Sequence, residues 1–244
     1  MGWFRWGSMV AGVLPDACVA CDEVLSDGQR SLCEGCLALT LEVAGPSCGR
    51  CGEPGAFHAG LCPRCRVSPP PFRSAWAPFE HEGAVARAIH RFKYEDRSDL
   101  SRPLAGLVAT GQRKVGGTLV PVPLHEARFR QRRYDQAALL AVALGRLWRQ
   151  PVALEWLERV RHTTRQVGLD EAGREANVAG AFRAPRVEGA VVLVDDVFTT
   201  GATAREATKV LLEAGASEVR VITVARARRE NLARAPYRLR APRR

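Results

Sequence analysis

The segment Val191 to Thr203, VVLVDDVFTTGAT, dictates the kind of sheet this chain must build. Its run of aliphatic residues, Val191 to Val194, suits a strand buried on both faces of a parallel sheet, because a strand with one wet face alternates apolar and polar residues instead. Asp195 and Asp196 close the run, and a loop of hydroxyl residues around Gly201 follows. Beyond it Ala204, Ala207, Leu211 and Ala214 recur at helical spacing and Gly215 supplies a stop, so the segment reads strand, loop, helix. The backbone N–H groups of Thr199, Thr200, Gly201, Ala202 and Thr203 then sit at the mouth of a helix, where unpaired donors and the positive end of the dipole favour an anion. An ordinary buried strand with a polar turn is the alternative. The paired carboxylates weigh against it, since they repel and are poorly solvated unless a ligand, metal or base satisfies them.

All eight cysteines lie between residues 18 and 65, in four C-x-x-C pairs: Cys18/Cys21, Cys33/Cys36, Cys48/Cys51 and Cys62/Cys65. Thiolates three positions apart can face one tetrahedral ion, and the intervening stretches of 11, 11 and 10 residues match short knuckle hairpins. Two zinc sites of four thiolates each are expected. Sequential use of the pairs closes shorter loops than a cross-braced arrangement and is the favoured pairing. Disulfides would need an oxidising compartment, and nothing in the sequence exports the chain. Four thiolates leave no open coordination position, so the zinc is structural. The segment has few large apolar residues and is expected to need the metal to fold, each ion contributing on the order of 10–16 kcal/mol.

Pro69 to Pro71 marks the expected boundary, giving a ribbon domain over 1–68, an α/β domain over 69–228 and a basic, disordered tail over 229–244. Residues Ser74 to Phe79 suit a strand. Ala84 to Tyr94 reads as a helix with Val85, Ala88, Ile89 and Phe92 inward. Its other face, with Arg87, His90, Arg91 and Lys93, reads as a solvated basic face, with contact to phosphate or nucleic acid as the alternative. A further helix is expected over about Leu100 to Arg113. Thr118 to Leu124, TLVPVPL, is a strand running into a proline-stiffened loop at Val122 and Pro123, suited to fixing backbone donors. Arg128, Arg130, Arg132 and Arg133 follow, and Asp135 looks like the N-cap of a helix to about Trp148 with Leu139, Val142 and Leu147 inward. From Leu157 to Phe182, Arg161, Thr164, Gln166, Arg174 and Asn177 suggest a mobile basic lid, or else a solvated connector. Glu218 to Ala225 supplies another parallel strand. A net charge of +10 favours anionic partners, either phosphorylated small molecules or nucleic acid. No apolar run approaches the roughly 20 residues of a membrane span, and the first residues lack a secretion-signal pattern, so a cytoplasmic location is expected. Met9 is an alternative start.

The Asp195–Thr203 stretch resembles the motif with which type I phosphoribosyltransferases bind PRPP (5-phosphoribosyl-1-pyrophosphate). The order of features along nearly the whole chain resembles the ComF/GntX family: a double ribbon, the helix AIHRFKYEDR, the VPVPL loop with RRYDQ after it, and an Arg/Thr/Gln segment before the PRPP motif. The resemblance implies an α/β fold, a phosphoribosyltransferase-type parallel sheet flanked by helices and preceded by a small N-terminal double zinc ribbon. It implies that Asp195 and Asp196 hold the ribose hydroxyls, that Thr199, Thr200, Gly201, Ala202 and Thr203 hold the 5′-phosphate, and that Mg²⁺ comes with PRPP. Val122 and Pro123 would meet the pyrophosphate, and Arg161 and Arg174 would close over it. It also implies a link to DNA uptake in natural competence, with uptake proteins such as a helicase as candidate partners. Transferase activity is open because no acceptor site is visible. The competing reading is a single-stranded-DNA-binding accessory protein in which the PRPP pocket is a sensor or relic. The chain departs from the family at Arg132-Arg133-Tyr134-Asp135-Gln136, where R-G-F-N-Q is common.

Overall fold

The computed structural model describes residues 16–111, 114–125, 129, 133–161 and 171–228. The cysteine-rich segment folds twice in the same way. A knuckle is closed by an antiparallel bridge, Ala17 with Val24 and Ser47 with Pro54. The residue after its second cysteine is left-handed, Asp22 at φ 62° and Gly52 at φ 70°. A one-turn helix then begins directly after a cysteine, α1 (Glu34–Ala38) after Cys33 and α2 (Pro63–Val67) after Cys62.

The sheet is parallel throughout. Strand β6 (Gly189–Phe198) lies between β7 (Ala216–Arg226) and β3 (Thr118–Pro121), pairing with both. Strands β1 (Ser74–Trp76) and β2 (Phe79–Glu80) pair in succession with the far side of β7. The expected single strand over Ser74 to Phe79 is thus two short pieces; Pro78, which has no N–H to donate, falls in the break. A small antiparallel pair, β4 (Glu158–Arg159) and β5 (Phe182–Arg183), stands apart.

Residues of β6 and β7 alternate between two covered faces. Val192, Val194, Ile222 and Val224 pack with α3 (Gly83–Tyr94), α4 (Ser101–Gly111) and α5 (Gln136–Trp148), and with Cys18, Cys33 and Cys36. Val191, Leu193, Val219 and Val221 pack with α7 (Ala202–Glu213), and with Cys48, Cys51, Cys62 and Cys65. The two ribbon halves therefore part around the edge of the sheet, one to each face. Helix α6 (Glu171–Val178) lies against α7.

Helix α3 presents the expected face. Helix α5 does not: Leu140, Leu144 and Trp148, following Gln136 at four-residue intervals, are buried, whereas Leu139 and Val142 are half-buried and Leu147 is 54% exposed. QAALLAVALGRLW is apolar on almost every side, so periodicity has little to choose between faces, and the fit to β3, β6 and α4 decides. Among the described residues no helix is long and apolar enough to cross a membrane.

Candidate functional site

The C-terminal ends of β3 and β6 open on a cavity of about 200 Å³. From β6 come Asp195 and Asp196. From the loop that follows come Thr199 and Gly201, from the first turn of α7 comes Thr203, and across the cavity stand Val122 and Pro123 from the end of β3. The adjacency follows from register: Pro121 pairs with Val194, so the residues just after each lie side by side. The Val122 N–H donates to the Val194 carbonyl at 2.8 Å, extending the pairing into the proline loop. Thr200 and Ala202, expected in the same anion loop, are buried; Thr200 faces the second ribbon.

Gly201 is required by geometry. It caps α7 at φ 83°, and a Cβ there would lie 2.7 Å from the Phe198 ring. A left-handed glycine turns the chain sharply enough for α7 to start beside the cavity, which Gly201 and Thr203 line.

The electrostatics of the floor are set by three groups. Burial, with the neighbouring Asp196 charge second, pushes the Asp195 carboxyl up to about 7. Its Oδ1 accepts a 2.8 Å hydrogen bond from the Asp196 N–H. Lys93 of α3 reaches in to place Nζ 2.8 Å from Asp196 Oδ2. His81 adds no charge near neutrality, because burial, reinforced by Lys93, holds it down at about 4.

Lys93 and Arg159 are the cavity residues that sequence reasoning missed. The sequence puts Lys93 on a helix face whose two readings are solvation and contact with phosphate or nucleic acid, and the AIHRFKYEDR element is its available signal. Its neighbours on that face are also engaged: Arg91 pairs with Asp22 and Glu95 and donates to the Val19 carbonyl, and Arg87 donates to Cys36 Sγ at 3.5 Å. Arg159 lies over the Phe182 ring, 5.2 Å from its centroid. Arg161, the expected lid residue, donates to the carbonyls of Asn177 and Ala179 near the end of α6. Thr164 and Gln166 lie outside the described residues, as do Arg128, Arg130 and Arg132 and the side chain of Arg174.

Asp135 caps α5 as expected and does a second task. Oδ1 accepts from the Ala138 N–H at 3.0 Å and Oδ2 from the Leu124 N–H at 2.8 Å, tying the proline loop to the helix. An asparagine has one acceptor oxygen; a carboxylate has two.

The cysteines gather as Cys18, Cys21, Cys33 and Cys36, and as Cys48, Cys51, Cys62 and Cys65, each set with all its sulfurs within 4.8 Å of one another. Cys21 and Cys33 are 3.7 Å apart and Cys51 and Cys62 3.6 Å. A tetrahedral zinc with Zn–S near 2.3 Å has an S···S edge of about 3.8 Å, so both sets fit the ion. The grouping is sequential.

A parallel sheet with this strand–carboxylate–loop–helix element, joined to paired four-cysteine knuckles, defines a phosphoribosyltransferase-like domain with a zinc ribbon. Family models agree: residues 9–66 match the double zinc ribbon domain and residues 171–239 the phosphoribosyl transferase domain. The chain belongs to the ComF (competence protein F) family. It is 32% identical over 223 residues to competence protein F of Haemophilus influenzae, covering 86% of this chain and 96% of that one. The DNA utilization protein YhgH of Escherichia coli is 32% identical over 85% of this chain and 96% of its own length. Competence protein ComFC of Bacillus subtilis is 25% identical over 81% and 89%.

Proposed function

We propose that the cavity binds PRPP with Mg²⁺ and that the protein serves DNA uptake from the cytoplasmic side. The observation that carries this reading is the convergence, around one cavity, of a carboxylate pair, the N-terminus of α7 and a proline-fixed loop from the neighbouring strand. In it Asp195 and Asp196 accept hydrogen bonds from the ribose hydroxyls. Backbone N–H groups from Thr199 to Thr203 hold the 5′-phosphate. Val122 and Pro123 lie where the pyrophosphate would run, with Lys93 and Arg159 as nearby cations and Arg161 and Arg174 as lid residues. Mg²⁺ bound with the ligand would neutralise pyrophosphate oxygens. A diol donating to Asp195 favours its ionised form, so binding near neutral pH releases a proton from it.

The role in DNA uptake is supported by relatives named for competence and DNA utilization, with proteins of the uptake machinery as partners. Whether the bound phosphoribosyl group is transferred depends on an acceptor. A thermal-shift screen with PRPP, ribose 5-phosphate and free nucleobases, with and without Mg²⁺, tests the reading. The expected result is a stabilisation by PRPP that Mg²⁺ enlarges; a shift with single-stranded DNA and none with PRPP would replace it by the nucleic-acid reading.

A further inference from the structure

Arg64 stands between two cysteines of the second cluster, Cys62 and Cys65, within α2. Its Nη1 donates a 2.9 Å hydrogen bond to the carbonyl oxygen of Thr200, 136 residues away in the anion loop. The same knuckle is fastened to the end of the sheet nearby. Arg226, the last residue of β7 and 2% exposed, donates to the Cys51 carbonyl at 2.9 Å and pairs with Glu53, its guanidinium 5.6 Å from the centre of the Phe198 ring. Arg205 of α7 donates to the Ser68 carbonyl at 3.0 Å.

The bond to Thr200 has a directional consequence. The Thr200–Gly201 peptide is trans, and in a trans peptide the C=O and the following N–H point opposite ways. A carbonyl drawn toward Arg64 turns the Gly201 N–H away from the ribbon. The surroundings agree, since Thr200 lies with Arg64 and Cys65 on the ribbon side, whereas Gly201 and Thr203 line the large cavity. A peptide next to a left-handed glycine meets little steric resistance to rotation, so an external hold decides which way its N–H faces.

We propose that Arg64 is a positioning residue for the anion loop: through the Thr200 carbonyl the second zinc cluster holds the Gly201 N–H toward the cavity, linking metal occupancy at Cys48, Cys51, Cys62 and Cys65 to affinity for a phosphorylated ligand. This rests on the PRPP reading of the cavity and adds a determinant outside it. Thiolates on both sides of Arg64 fix its backbone when they share an ion; α2, five residues long, is too short to persist by itself. The first cluster packs on the other face of the sheet, with α3 and α4. Linkage is reciprocal, so a ligand that selects the ordered loop tightens the second zinc by the same factor.

The test uses the full chain with zinc in both clusters. PRPP affinity with Mg²⁺ is measured by calorimetry for wild type, Arg64→Ala and Arg64→Lys, alongside zinc content, and zinc release to a chelating dye is followed with and without PRPP. Arg64→Ala is expected to keep both ions yet bind about tenfold more weakly, about 1.4 kcal/mol. Arg64→Lys should recover part of the loss. PRPP should slow release of one of the two zinc ions in wild type and of neither in Arg64→Ala. If wild type binds PRPP but Arg64→Ala binds equally well, or PRPP leaves both release rates unchanged, the link is wrong and the cavity reading stands. If wild type binds no PRPP, the cavity reading falls and inorganic phosphate replaces PRPP in the release assay, where protection of one ion supports the link and its absence overturns it. Should Arg64→Ala lose zinc, the wild-type release assay decides.

Discussion

Lys93 Nζ and Asp196 Oδ2 lie 2.8 Å apart, joining α3 to the end of β6. The pair is largely enclosed, with 19% of the lysine and 11% of the aspartate side chain exposed. It places a cation beside the two carboxylates near the C-terminal end of β6. Lys93→Met is expected to cost the ligand-free protein about 1–3 kcal/mol near pH 8, less than a fully buried pair because water still reaches it. Near pH 5, where Asp195 is protonated, the cost should be smaller. Urea denaturation at both pH values measures it, and equal losses would mean that the Asp195 charge adds nothing to the pairing of Lys93 with Asp196.

Asp195 gives a pH dependence of definite sign. Its folded-state value of about 7 lies above the ordinary 3.8, so the native state binds that proton more tightly than the unfolded chain. Its contribution to stability is full below about pH 4 and is lost as pH rises through about 7. Asp195→Asn cannot ionise. Its stability relative to wild type should therefore grow across that window and level off above it, at a difference on the order of a few kcal/mol. Denaturation of the ligand-free proteins across the range checks this, and a difference that does not change with pH would contradict it.

Gly201→Ala should damage both stability and the site. A side chain at φ 83° is strained, and its Cβ would press within 2.7 Å of the Phe198 ring. The expected cost is about 1–3 kcal/mol, with loss of PRPP-induced thermal shift in whatever protein remains folded. Unchanged stability would show that the loop has room to relax.

Asp135→Ala removes two backbone acceptors at once and should cost about 1–2 kcal/mol. Asp135→Asn keeps one of the two bonds and should fall between. Thermal denaturation of the series tests whether the carboxylate's second oxygen, on the Leu124 N–H, contributes; identical stability of Asn and Asp would show that it does not.

What could be read from residues alone was what local chemistry determines. An unbroken aliphatic run means a strand covered twice, and C-x-x-C pairs mean shared ions, whatever surrounds them. What could not be read depends on meetings between distant segments. Lys93 looks like any lysine on a polar helix face until β6 places Asp196 beside it. Arg159 and Arg161 are two positions apart and equally basic; the ring of Phe182 and the end of α6 draw them to different tasks. The inward face of α5 is not legible in the sequence because Leu139 and Leu140 are chemically alike and only the packing against the sheet separates them.

The most direct measurement is calorimetric titration of PRPP into the zinc-loaded protein with Mg²⁺, beside the variant carrying both Asp195→Asn and Asp196→Asn. Saturable binding by wild type, abolished in a variant that retains its zinc and its cooperative unfolding, is the expected result. Equal affinity in the two proteins, or no binding by wild type, would contradict the assignment of the carboxylate pair to the ribose of PRPP.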